Sequence, residues 1–246
     1  MPLLPGFEGE VGEPSGAALH AITHWNYASI SSLLNRLRAA GIKDPSQYIS
    51  FYGLRNHSTL NGEPITELIY VHSKLMIVDD KIVICGSANI NDRSLIGKRD
   101  SEIAVIIEDE TFENGIMNGR SFPSGMFAGS LRKRLFKEHL GLLEVEESSV
   151  DVTDPVVEQF YRGVWYKTAS SNTHIYEQVF HCIPSDGVQT FNDLRDYQDR
   201  KILCNMELLR RIQGFLVLFP LEFLSKESLI PKARTVEGIM PTSLWT

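Results

Sequence analysis

Apolar residues recur at steps of three and four through positions 17–40, where Leu19, Ile22, Ile30, Leu33, Leu34 and Leu37 line up on one helical face. The spacing predicts a helix there, stopped by Gly41. The pattern then shortens. Positions 48–54 and 66–71 are β-rich runs on either side of a polar loop that contains the turn signal Asn61-Gly62. Positions 74–78 and 81–85 predict two further strands around the acidic turn Asp79-Asp80, and 101–108 predicts one more, apolar except at its ends. Positions 111–125 read as loop. Helical spacing returns over 126–143, with basic residues on one side, and again after Asp154-Pro155, where the aspartate caps and the proline enters the first turn of a helix running through Phe160 and Trp165. A last helix is expected over 206–219, with Leu209, Ile212, Leu216 and Phe219 on its apolar face and Pro220 ending it. The succession predicts an α/β fold: a mixed β-sheet flanked by helices over 1–110, and a mainly helical C-terminal region over 111–246 that packs on it.

Composition narrows the class without changing the architecture. With 246 residues, 43% hydrophobic and 22% charged, the chain is of ordinary globular make-up and long enough for a substantial core. A formal net charge of −7 argues against nonspecific nucleic-acid binding, which draws on a basic face. The run Arg132, Lys133, Arg134 and Lys137 is one local basic patch that could meet anionic lipid. The three cysteines, Cys85, Cys182 and Cys204, form no CxxC pair and predict reduced thiols in a cytosolic setting. No basic-plus-apolar leader opens the sequence, and the longest apolar run, 214–224, is too short to span a bilayer. Membrane contact is therefore expected to be peripheral.

The chemistry concentrates in 67–102. His72, Lys74 and Asp79 stand in the spacing HxKxxxxD, and Gly86-Ser87-Ala88-Asn89 follows. Alternation along a strand sends His72 and Lys74 to one face and Asp79 to the other, which makes Asp79 a turn or hydrogen-bonding residue rather than a base. If Asp79 and Asp80 are the central turn residues, Ser87 falls opposite His72. If Asp80 and Lys81 are, Ser87 falls opposite Lys74 and Asn89 opposite His72. Either register gathers His72, Lys74, Ser87 and Asn89. Gly86 lets the backbone approach a ligand closely. One imidazole, one ammonium and two neutral hydrogen-bonding side chains suit a phosphoryl oxyanion. No second histidine or cysteine lies at ligand spacing, which argues against a metal. The GSAN loop also lacks the flanking glycines of a serine-nucleophile elbow.

These residues resemble the phospholipase D superfamily, whose signature is a repeated HxKxxxxDxxxxxxGSxN. The stretch VHSKLMIVDDKIVICGSANINDRSLIGKRDSE is similar to the second copy in eukaryotic phosphatidylcholine-hydrolysing members. PLLPGFEGE near the start, IYEQVF at 175–180, RRIQGFLVLFP at 210–220 and the terminal Leu244-Trp245-Thr246 extend the likeness over nearly the whole chain. The resemblance implies an active site made of two His-Lys pairs. One histidine attacks phosphorus, and the other protonates the departing choline oxygen. It assigns His72 as general acid and then base, Lys74, Ser87 and Asn89 as phosphate-binding residues, and Glu102 as the acid that orients the His72 ring, with Asp100 as the alternative. It implies no metal or cofactor for the chemistry, activation by phosphoinositides, a phospholipid membrane surface and small GTPases as partners, and a peripheral place on intracellular or plasma membranes. It also implies that Trp245 and Thr246 pack back on the catalytic core.

Of the seven histidines only His72 has lysine two positions on, so the partner pair is not in this sequence. The expectation is a truncated phospholipase D, inactive alone and in need of the half that carries the first motif. Two other readings stand beside it: another phosphodiesterase of the superfamily, nuclease or phospholipid synthase, and a non-catalytic form that binds lipid or partners.

Overall fold

The computed structural model describes residues 1, 3, 17–145, 148–199, 206–230 and 232–241. The first predicted helix is present as α1 (Ala17–Ala39), and the chain leaves it through Gly41 at φ +93°. β1 (Tyr52–Leu60) and β2 (Glu63–Leu68) form a hairpin whose turn is Asn61-Gly62, both at positive φ, with Leu60 opposite Glu63. β3 (Lys74–Val78), β4 (Ile82–Gly86) and β5 (Ala104–Glu108) make a second, antiparallel sheet in that order. Between β4 and β5 lies a single helical turn, α2 (Asp92–Leu95).

Positions 111–125, expected to be loop, form a hairpin instead: β6 (Phe112–Met117) and β7 (Arg120–Gly125), turning at Asn118-Gly119. The carboxylate of Asp154 locks that turn, accepting from Asn118 N at 3.0 Å and from Gly119 N at 2.7 Å. It also accepts from Val156 N and Val157 N, both at 3.2 Å, which closes a turn ahead of the helix instead of capping it. The helix begins later than expected, with Val157 as a cap that makes no side-chain bond, so Asp154 and Pro155 lie outside it and the Asp154 carboxylate serves the hairpin 36 residues earlier in sequence. It runs from α4 (Glu158–Phe160) through a π-helical turn (Tyr161–Tyr166) into α5 (Lys167–Phe180). Upstream, α3 (Ala128–His139) lies against β7 and β3. Beyond α5 come α6 (Phe191–Gln198), α7 (Met206–Leu209) and α8 (Val236–Ile239).

The helix expected over 206–219 is the largest departure. Only α7 is helical, and the chain then turns through Gly214 at φ +61° into strand β8 (Leu216–Leu218). Gly214 sits against the end of α3. A Cβ there would lie 2.4 Å from the His139 carbonyl oxygen, the same oxygen that accepts from Phe215 N at 2.9 Å. β8 pairs antiparallel with β1, Tyr52 opposite Leu218, and is held from the other side by Asn172, 1% exposed, whose amide donates to the Gln213 and Leu216 carbonyls at 2.8 and 2.9 Å. A strand from the C-terminal region thus completes a sheet of the N-terminal one. Leu216 faces a core of Trp165, Phe160, Leu140 and Val152, where Phe136 stacks on Phe160 at 5.5 Å between ring centroids. Val217 points the other way, into a cluster with Tyr176, Phe219 and Ile30.

The architecture is α/β, with helices packed against antiparallel sheets. No helix among the described residues is long and apolar enough to cross a membrane. Cys85 and Cys182 are free thiols. The expected burial of Trp245 and Thr246 falls outside the described residues, as do Cys204 and most of 2–10. The basic run on α3 is partly spent inside the fold: Arg132 is buried and Lys133 is bonded to Glu113.

Candidate active site

The site hairpin is anchored at its turn. Asp79 and Asp80 both adopt φ +51°, and Lys81 N donates to Val78 O at 2.9 Å. Asp79 is exposed, whereas Asp80 is 5% exposed and carries the hydrogen bonding expected of its neighbour. Arg132 meets Asp80 with two nitrogens, Nε to Oδ1 at 2.9 Å and Nη2 to Oδ2 at 2.6 Å, and donates twice more, to the Val152 and Thr153 carbonyls. The backbone is pinned as well: Gly125 N donates to Asp80 O at 2.7 Å, and Asp109 N to Lys81 O at 2.9 Å.

Those ties make Lys81 an extra residue in the loop, so the register is neither of the two expected. Val78 pairs with Ile82 and Lys74 with Gly86. Extending the count puts His72 level with Ala88 and assigns Ser87 by parity to the face away from Lys74. The ladder breaks before parity can act. Ser87 N donates to Ile103 O at 2.9 Å, but Ile103 N donates back to Ser87 Oγ at 3.0 Å rather than to a carbonyl. The serine side chain has taken the place of backbone, and from there its hydroxyl donates to Glu102 Oε2 at 2.5 Å.

Glu102 reaches the Lys74 face by a different route. Gly86 pairs with Lys74 on one side and Ala104 on the other, so Lys74, Gly86, Ala104 and, by extension, Glu102 share one face of the sheet. The second oxygen of Glu102 accepts from Ser94 Oγ at 2.6 Å. That same Oγ accepts from Asn89 N at 3.0 Å, and Ser94 N donates to Asn91 Oδ1 at 3.0 Å as the cap of α2. The Ser87 hydroxyl first and the Ser94 hydroxyl second hold the Glu102 carboxyl below the usual carboxylate range, and the Lys74 charge adds to them.

His72 and Lys74 complete the exposed face. Lys74 Nζ donates to the His72 carbonyl at 2.6 Å, and the His72 ring stacks on Tyr70 with centroids 6.2 Å apart and planes 26° from parallel. No hydrogen bond joins His72 to Glu102, and none joins it to Asp100, whose two oxygens take a forked contact from Arg93 at 3.0 and 3.3 Å. Among the described residues the side chain of Asn89 makes no hydrogen bond, and its backbone N–H donates to Ser94 Oγ. The geometry therefore brings Ser87 and Glu102 together within reach of the Lys74 charge, with His72 and Asn89 free to meet a ligand. Sequence reasoning missed Ser94, Tyr70 and Asp80. Ser94 had a signal, since Asn91 three residues before it marks a helix cap.

The family model for Phospholipase D matches residues 3–181. The chain belongs to the phospholipase D family. Phospholipase D1 of Homo sapiens is 47% identical over 256 aligned positions that take in 100% of this chain and 24% of that protein. Phospholipase D2 of Bos taurus is 46% identical with 100% and 27% covered, and phospholipase D zeta 2 of Arabidopsis thaliana 42% identical with 94% and 25% covered. The chain thus spans about a quarter of the length of the curated relatives it matches.

In this chain the glycine between Lys74 and Ala104 is sterically required. A Cβ on Gly86 would fall 2.4 Å from the Ile103 carbonyl oxygen and 2.7 Å from Ala104 Cα, both backbone atoms that cannot rotate away. Gly86→Ala is expected to lower stability by about 1–3 kcal/mol through this overpacking, read from the urea midpoint. An unchanged midpoint would show that β5 can shift without cost.

Proposed function

We propose that this chain supplies one of the two His-Lys pairs of a phospholipase D that hydrolyses phosphatidylcholine to phosphatidic acid and choline. What carries the reading is the face on which Lys74 and Glu102 flank Gly86, with Glu102 clamped by two hydroxyls and the His72 ring exposed beside them. In the proposed reaction a histidine of the partner pair attacks phosphorus and forms a phosphohistidine. His72 gives its proton to the departing choline oxygen. The same ring then takes a proton from water, which attacks the intermediate and releases phosphatidic acid. A primary alcohol in place of that water yields a phosphatidyl-alcohol. Lys74 and the Asn89 amide hold the phosphoryl oxygens, and Glu102 acts through Ser87, Ser94 and Lys74 as the fixed negative charge of the site.

The chain alone is expected to be inactive, because it carries a single His-Lys pair. Its β3–β5 sheet offers the surface on which the other pair would dock: Met76 on β3 and Ile106 on β5, on the same face as Lys74, are 49% and 63% exposed. The test is to mix this chain with the part of a relative that carries the first motif and to measure choline release from phosphatidylcholine vesicles, with and without a primary alcohol. Choline release from the mixture only, and a phosphatidyl-alcohol when alcohol is present, is the expected result. Robust release by this chain alone, or none from a mixture shown to associate, would overturn the reading.

A further inference from the structure

The loop that holds the Glu102 clamp has a second side. Asn91, Ser94 and the Asn89 N–H are knitted together and turned toward Glu102, which fixes the rotation of α2. Successive residues on a helical turn point about 100° apart, so locking Ser94 inward turns its neighbours out. Leu95 and Ile96 are 65% and 54% exposed, and Ile90, at the other end of the knot, is 89% exposed. Single exposed aliphatic side chains are common. Three within seven residues, on a turn whose Asn91 and Ser94 side chains are used on the inner side, form a tip.

The charges around it are not balanced. Arg93 is neutralised by its forked contact with Asp100. Lys98 and Arg99, both exposed, have no ion-pair partner among the described residues and outweigh Asp92. The tip is thus apolar with a positive collar, on a chain whose net charge is −7. Apolar side chains flanked by cations match the boundary between acyl chains and anionic headgroups. The tip also lies next to the residues assigned to the phosphoryl group, since Asn89 is adjacent in sequence to Ile90.

We propose that Ile90, Leu95 and Ile96, collared by Lys98 and Arg99, form a wedge that enters an anionic phospholipid surface and seats the site at headgroup depth. This rests on the reading of the substrate as a membrane phospholipid, and it adds the part of the chain that meets the membrane. The wedge sets which headgroups can be reached: those standing in a bilayer beside the inserted tip, with Lys74 and Asn89 at the level of the phosphates.

The experiment uses the purified 246-residue chain and no turnover. Sedimentation with vesicles of phosphatidylcholine plus phosphatidylserine, and with vesicles of phosphatidylcholine alone, gives a partition coefficient for each variant. The triple variant Ile90→Asp, Leu95→Asp, Ile96→Asp is expected to lose about tenfold or more on both vesicles. Lys98→Gln with Arg99→Gln is expected to lose about fivefold per cation on the anionic vesicles and to match the unsubstituted chain on the neutral ones. Val105→Asp with Ile106→Asp, on the sheet, should leave partition unchanged. Leu95→Asp alone carries the same expectation with a smaller loss if the triple variant does not fold. Failure of the unsubstituted chain to bind either vesicle, undiminished binding by the triple variant, or loss confined to the sheet variant would each overturn the proposal. So would a triple variant that binds vesicles normally but no longer associates with the first-motif part, because the tip would then be a protein interface. Absence of choline release from the reconstituted enzyme would break the functional reading and leave the partition result standing.

Discussion

Asp80→Asn lowers the stability of this chain by about 3–5 kcal/mol, the cost of leaving a buried charge without its partner, whereas Asp79→Asn changes it by less than about 0.5 kcal/mol. The contrast follows from where two adjacent aspartates lie. Asp80 and Arg132 are 5% and 7% exposed, and their forked pair joins the turn of the site hairpin to α3. Asn at position 80 keeps one accepting oxygen but removes the negative charge and turns an amide NH2 toward the buried guanidinium, whose other contacts are the Val152 and Thr153 carbonyls and the Phe136 ring. Asp79 is exposed at φ +51°, a conformation that asparagine adopts as readily as aspartate. Urea midpoints of the two variants decide the matter, and equal losses would contradict it. Replacing both members, Asp80→Leu with Arg132→Met, should recover part of the loss, since an apolar pair removes the stranded charge. Its recovery is incomplete because Val152 O and Thr153 O lose their donor.

The same pair explains why the strands were legible in the sequence and their register was not. Alternating apolar residues announce β3 and β4, and the turn between them is marked by two acidic residues. Whether that turn has two residues or three depends on Arg132, 52 positions away, and on the backbone ties from Gly125 and Asp109. β8 fails for a related reason. Leu209, Ile212, Leu216 and Phe219 fit a helical face, and nothing local forbids it until Gly214 has to pass the end of α3 and Leu216–Leu218 has to pair with β1. Long-range contact overrode local spacing there. The β6–β7 hairpin was different: Asn118-Gly119 is the same turn signal as Asn61-Gly62 and was readable.

The candidate site divides along similar lines. His72, Lys74, Gly86 and Ser87 are given by their spacing, and Glu102 by resemblance. How Ser87 and Glu102 meet was not available from strand parity, which, with the observed register, separates Ser87 from Lys74. They meet because Ser87 Oγ displaces a carbonyl from the ladder at Ile103, and because Ser94 on α2 takes the other carboxylate oxygen. Hydroxyl groups that substitute for backbone leave no periodic trace in a sequence.

In the reconstituted enzyme, His72→Asn is expected to lower choline release by about 10²–10⁴-fold, the range for removal of a general acid–base group. Asparagine approximates the reach and hydrogen bonding of imidazole but cannot carry a proton to the choline oxygen. The ring is exposed and stacks on Tyr70, so the urea midpoint should stay within about 0.5 kcal/mol of the unsubstituted chain. That separation of activity from stability is what distinguishes His72 from Asp80, whose loss acts through folding. Glu102→Gln should fall between them. Its amide can still accept from one hydroxyl and donate to the other, but the negative charge beside Lys74 is gone, and with it the balance that leaves the ammonium to the phosphoryl group. A loss of about tenfold in turnover is expected. A His72→Asn enzyme that retained full choline release would remove the imidazole from the reaction and leave the Lys74 face as a binding surface only.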